Sequence, residues 1–213
     1  LRTTMFRPLY DYFISNDIYA EKALWVFRKL NEISIAKSER PKFVFAHILP
    51  PHPPFIFDED KKNIGRATMG AEEIYYKEKY IKQLIFINKQ LEKFIDQVLA
   101  SSGVNSVIIL QADHGPASTF PAEINEWSES PTDEMILERM YIFNAYYLPQ
   151  NNWEGLYDKI SPVNSSRLIF NKYFNTNYEL LNDESYYSTY TRLDHFINIT
   201  NILNSQFNSI LNY

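Results

Sequence analysis

Histidine and aspartate in tight order with glycine are residue types able to hold a metal ion or to handle a charged ester, and this chain carries them in two short motifs. One is Phe43-Val44-Phe45-Ala46-His47-Ile48-Leu49-Pro50-Pro51-His52-Pro53-Pro54-Phe55; the other is Val107-Ile108-Ile109-Leu110-Gln111-Ala112-Asp113-His114-Gly115-Pro116. Asp113 and His114 offer a carboxylate and an imidazole side by side. Such a mixed oxygen and nitrogen set suits Zn²⁺ or Mn²⁺, and Gly115 relaxes the backbone so that both can turn toward one ion. His52 stands between prolines, so a stiff backbone presents its ring from one position, as a donor to an anionic ester needs. Each has a plainer reading: Asp-His-Gly also makes a simple turn, and His52 a surface-loop histidine. His47 falls inside an apolar run and reads as a buried core residue, while His195, in Leu193-Asp194-His195-Phe196, has no companion motif and reads as structural.

These residues need elements to carry them. The apolar runs 43–49 and 106–112 predict strands buried on both faces. Between them, Ile74, Ile81, Leu84, Ile85, Leu91, Ile95, Val98 and Leu99 recur at helical spacing and Gly103 ends the pattern, which predicts a long helix over 72–101. A strand-helix-strand crossover makes the two strands parallel and brings His52, Asp113 and His114 to the carboxyl edge of one sheet, where open α/β sheets bind ligands. A further helix is expected over 20–36, a third strand over 139–148, a helix over 163–174 capped by Ser161 with Pro162 in its first turn, and a hairpin over 186–200. The prolines and charges of 50–71 predict an irregular loop serving as a lid or pocket wall, and the Glu-rich stretch 120–134 a mobile surface loop.

With 213 residues, 45% of them hydrophobic, the chain can bury a sizeable core. A net charge of -5 without any Lys/Arg cluster argues against nucleic acid as a partner. No apolar run is long enough for a membrane helix, and Leu1 does not open a signal peptide, so the chain as given is expected to be soluble. The absence of cysteine excludes disulfides, thiolate zinc sites and a cysteine nucleophile, and five glycines leave no phosphate-cradling loop. The Asn-x-Ser/Thr matches at Asn164 and Asn198 read as chance.

An apolar strand leading to His-x-x-x-x-His-x-Pro, then a long helix, then Val-Ile-Ile-Leu-Gln-Ala-Asp-His-Gly resembles the sulfatase branch of the alkaline phosphatase superfamily, in particular membrane-anchored proteins related to lipoteichoic-acid synthases and phosphoethanolamine transferases. The resemblance is good from 41 to 149 and looser beyond. It implies an α/β/α three-layer sandwich with a mostly parallel sheet, Asp113 and His114 as ligands of a divalent metal (Zn²⁺, Mn²⁺, Ca²⁺ or Mg²⁺), and His52 as a catalytic contact to the sulfate or phosphate group. It also implies a sulfate- or phosphate-ester substrate, and a parent enzyme at the extracytoplasmic face of a bacterial membrane, held there by an upstream anchor. The family's acidic ligand and Thr, Ser or formylglycine nucleophile precede this motif, and nothing before Phe43 matches that context. Residues 1–213 are therefore expected to be one C-terminal portion of the domain, with little turnover of its own. The alternative is a non-catalytic module that keeps the fold and only binds a ligand or partner.

Overall fold

A computed structural model describes residues 7–60, 73–102, 105–119, 129–151, 154–189 and 191–210, which fall into two compact units, Leu1–Ser106 and Val107–Tyr213. In the first unit, helix α1 (Arg7–Ile35) and helix α2 (Glu73–Ser102) lie side by side. Gln97 Nε2 donates to the Asn31 carbonyl at 3.0 Å and Ser101 Oγ to the Ser34 carbonyl at 3.1 Å, so the sequence advances in the same direction along both helices. Helix α1 begins well before the expected 20–36, whereas α2 matches 72–101 to within a residue at each end. The stripe that α2 buries differs from the expected one: Tyr76, Gln83, Phe86 and Ile87 are inside, and Ile81 is exposed. Those buried positions still fall three, four or seven residues apart, a helical stripe shifted from the expected one and carrying a polar amide.

The core of this unit joins Ala23 and Phe27 of α1 to Phe86 and Ile87 of α2 through Ile56 and Phe57. Phe57 stacks on Phe86 at 4.4 Å between centroids, and Phe55 meets Tyr76 edge-on at 5.0 Å. Part of the segment expected to form a lid is thus the most buried piece of the unit, because three consecutive apolar residues drop between two helices that would otherwise leave a groove. The remainder of that loop, 61–72, lies outside the described residues.

The expected strand over 43–49 is absent. These residues run irregularly, and Phe43 and Phe45 are 90% and 83% exposed. A strand buried on both faces needs hydrogen-bonded neighbours, and none of the described residues pairs with it. The expected parallel crossover from 43–49 to 106–112 is therefore not formed among them.

In the second unit, strand β1 (Ile108–Gln111) pairs antiparallel with strand β2 (Asn144–Tyr147), with Ile108 opposite Tyr147 and Gln111 opposite Asn144. Instead of being buried on both faces, β1 alternates half-buried and exposed residues, as a two-stranded ribbon does. Helix α3 (Asp133–Met140) stands between the two strands in sequence and replaces the expected start of the third strand at 139. Its signals are local: Thr132 accepts from the Met135 N–H as N-cap, Asp133 and Glu134 occupy the first turn, and Arg139 the last. Most of the expected surface loop, 120–128, is outside the described residues.

Helix α4 (Pro162–Tyr173) starts as expected, with Ser161 accepting from the Asn164 N–H and Pro162 in the first turn. The tail forms the expected hairpin: β3 (Tyr186–Tyr187) pairs antiparallel with β4 (Ile197–Asn198), followed by helix α5 (Thr200–Ile210). Ile136 of α3 packs on the fully buried Tyr187 and Ile199, with Met140, Ile202 and Leu203 around them, and the Tyr141 hydroxyl donates to the Leu203 carbonyl at 2.7 Å. The hairpin and α5 thereby form the seat on which α3 rests.

Candidate functional site

The ladder of β1 and β2 ends with the Ala112 N–H donating to the Phe143 carbonyl at 2.9 Å, and the chain then turns into Asp113-His114-Gly115. Asp113 Oδ1 accepts from the His114 N–H at 3.0 Å, while Asp113 Oδ2 lies 3.6 Å from His114 Nε2. The other ring nitrogen, His114 Nδ1, is 3.0 Å from the Gly115 carbonyl oxygen. In the tautomer that carries its proton on Nδ1 the ring donates to this carbonyl, and Nε2 keeps a lone pair beside the carboxylate. Two ligands at neighbouring corners of a tetrahedral site with bonds of 2.0–2.2 Å stand about 3.4 Å apart. The pair therefore fits two adjacent positions of a divalent cation's coordination sphere, with the Asp113 side chain 78% and His114 31% exposed. No third His, Asp or Glu converges on them among the described residues.

Gly115 is needed for a different reason from the expected backbone freedom. A Cβ there would sit 2.0 Å from the Glu138 carbonyl oxygen, which the end of α3 presses against it. The Gly115 N–H donates to the Arg139 carbonyl at 2.7 Å, satisfying one of the acceptors a helix end leaves over. Arg139 Nη1 donates back to the Gly115 carbonyl, also at 2.7 Å, and this arginine is buried. Next to it, the Glu138 carboxylate accepts from the Ser118 hydroxyl, from the Thr119 N–H at 3.0 Å and from the Thr119 hydroxyl at 2.6 Å. Burial by itself would raise the Glu138 pKa; the hydrogen bonds from Ser118 and Thr119 outweigh it and hold the carboxyl below its ordinary value. Helix α3 thus grips the loop after β1 at Gly115, Ser118 and Thr119. Sequence reasoning missed both Glu138 and Arg139, although the Thr132-Asp133-Glu134 start signal would have revealed the helix that carries them.

His52 lies in the first unit. Its N–H donates to the Leu49 carbonyl at 3.0 Å and its Nδ1 is 2.5 Å from the Pro53 carbonyl oxygen, which leaves Nε2 as the outward nitrogen of an exposed ring. Gln83 of α2, wholly buried, donates from Nε2 to the His52 carbonyl at 3.2 Å and accepts at Oε1 from the Ile56 and Phe57 N–H groups at 2.8 and 3.1 Å. One amide thus ties the histidine's backbone to the aromatic core. His47, expected in the core, is exposed instead, because the strand that would bury it does not form. It shares with His52 a cleft of about 590 Å³ whose walls include Trp25, Arg28, Ile48 and Ile56. The pocket-wall expectation for the proline segment is met here by Pro50, Pro53 and Pro54. His195 is exposed and its N–H donates to the Arg192 carbonyl at 3.0 Å, a turn contact in keeping with a structural role. Asn164 is buried, its amide bonded to Leu181 and Asp183, so that Asn-x-Ser match cannot act as an acceptor in the folded chain.

The Sulfatase family model matches residues 7–158, more than half of the chain, and the chain belongs to the sulfatase family. No curated protein and no solved structure matches it. Among the described residues no helix is long and apolar enough to cross a membrane.

Proposed function

We propose that the chain serves a metal-dependent sulfatase-like hydrolase or transferase acting on sulfate or phosphate esters, with Asp113 and His114 as two ligands of the divalent cation and His52 as the contact to the ester oxygens. The observation that carries this reading is the 3.6 Å approach of Asp113 Oδ2 and His114 Nε2, with His114 Nδ1 turned to the Gly115 carbonyl at 3.0 Å. Membership of the sulfatase family supports it, since enzymes of this kind work with a divalent metal. When bound, the cation supplies positive charge that makes an attacking oxygen more acidic and offsets charge on the ester. Asp113 neutralises part of that cation's charge and His114 provides a neutral nitrogen. His52, anchored by Gln83, presents Nε2 to a non-bridging oxygen, to which it donates when both ring nitrogens carry a proton, and the charge on that oxygen grows as the ester reacts. The family resemblance also supports a three-layer sandwich with a mostly parallel sheet as the fold of the domain, and an extracytoplasmic site of action.

Titration with Mn²⁺ or Zn²⁺ in a calorimeter tests the ligand assignment. Asp113→Ala should abolish most of the heat of binding, and an unchanged isotherm would remove Asp113 from the site. Aryl sulfate and aryl phosphate then serve to test the chemistry: where turnover is seen, His52→Ala should lower kcat by about 10²- to 10³-fold. Cation binding without turnover of either ester would mark a binding module.

A further inference from the structure

Arg139 does more than close a helix. Its guanidinium donates at 2.7 Å to the same Gly115 carbonyl oxygen that lies 3.0 Å from His114 Nδ1, and its own carbonyl takes the Gly115 N–H at 2.7 Å. The carbonyl between them has two lone pairs, so both donors can be served at once. Arg139 thus bonds the peptides on both sides of Gly115, its guanidinium holding the oxygen of one and its carbonyl the N–H of the other. Arg139 therefore orders the carbonyl oxygen that His114 Nδ1 faces.

We propose that Arg139 is a positioning residue for the metal site: acting through the Gly115 carbonyl, it holds His114 in the Nδ1–H tautomer with Nε2 free and aimed beside Asp113. This rests on the reading of Asp113 and His114 as metal ligands. A partner that orients a ligating histidine from behind typically contributes 10- to 100-fold in metal affinity. Arg139 is buried at the end of α3 and meets the Gly115 carbonyl, so it acts on His114 through that oxygen.

The test uses the 213-residue chain labelled with ¹⁵N-histidine. Long-range ¹H–¹⁵N spectra at pH 8, with the His114 signals assigned by their loss in His114→Asn, report the tautomer without any metal, and calorimetry with Mn²⁺ reports affinity. Wild type should show His114 protonated on Nδ1. Arg139→Met should give a mixture of tautomers and at least 10-fold weaker Mn²⁺ binding, and Arg139→Lys, which keeps a cationic donor, should recover part of both. A purely structural arginine would lower the Tm yet leave tautomer and affinity unchanged in the folded variants, and that result overturns the proposal. If Arg139→Met does not fold, the wild-type spectrum decides: a His114 protonated on Nε2 overturns the proposal, and one protonated on Nδ1 supports it. Wild type that binds no Mn²⁺ would defeat the ligand reading of Asp113 and His114, while the tautomer measurement still judges Arg139.

Discussion

The two histidine motifs are held in opposite ways. At His52 a single buried side chain, Gln83, reaches out of a helix to the backbone of an irregular segment, and that segment is pinned by apolar burial of Phe55, Ile56 and Phe57. At Asp113 and His114 the backbone does the holding: a strand ladder on one side, the end of α3 on the other, with Gly115 squeezed between. A loop without a ladder has N–H groups that only a side chain can satisfy once they are buried, whereas a loop between a strand and a helix end finds carbonyls already left over. The first arrangement suits a ring that must present one outward nitrogen. The second suits two ligands whose separation must be kept to a few tenths of an ångström.

If that contrast is right, the largest effect belongs to the loop that has no space. Gly115→Ala puts a methyl group 2.0 Å from a backbone oxygen that cannot swing aside. Urea unfolding should register a loss of about 3 kcal/mol, the upper end of overpacking costs, and the folded fraction should bind Mn²⁺ poorly. Wild-type stability in Gly115→Ala would mean that α3 does not press on this loop.

A somewhat smaller loss is expected at the other motif. Gln83→Leu keeps the bulk but leaves the buried N–H groups of Ile56 and Phe57 without their acceptor, each such group costing about 1–3 kcal/mol when unsatisfied and less if water enters. A total near 2 kcal/mol by urea unfolding, with Mn²⁺ affinity unaltered, is the expected pattern. Loss of metal affinity in this variant would blur the distinction between the two regions.

The smallest effect is a pH dependence. Because the Glu138 pKa is lowered in the folded chain, the unfolded chain binds its proton first, and stability rises with pH through that window. The contribution is complete above the ordinary carboxylate value, about pH 4, and disappears as pH falls through the lower folded value. Stability curves of Glu138→Gln should therefore lie closer to wild type in acid than at neutral pH. Parallel curves at all pH values would show that Ser118 and Thr119 do not stabilise the charged form. Asp183, lowered by its bonds to Ser161, Tyr157 and Asn164 against the opposing effect of burial, serves as a control that Glu138→Gln leaves in place.

What could be read from the residues alone was whatever depends on neighbours in the chain. The α2 helix, the Ser161-Pro162 start of α4, the terminal hairpin and the pairing of Asp113 with His114 all follow from periodicity, caps and adjacency, which act over a few residues. An apolar run, by contrast, states only that a segment avoids water. Positions 55–57 satisfied that by entering a helix pair, while 43–49 did not become a strand, since strand formation requires partners that the run itself does not encode.

The sequence by itself determined the family, the long α2 helix and the donor atoms that Asp113 and His114 can offer, because residue identity and short spacing set donor atoms and local conformation. Only the tertiary structure decided why residue 115 must lack a side chain, and that Gln83, Glu138 and Arg139 stand behind the candidate residues. Those features depend on contacts between residues some twenty to thirty positions apart. Such contacts come into being only when burial of apolar surface has brought distant segments within hydrogen-bonding reach.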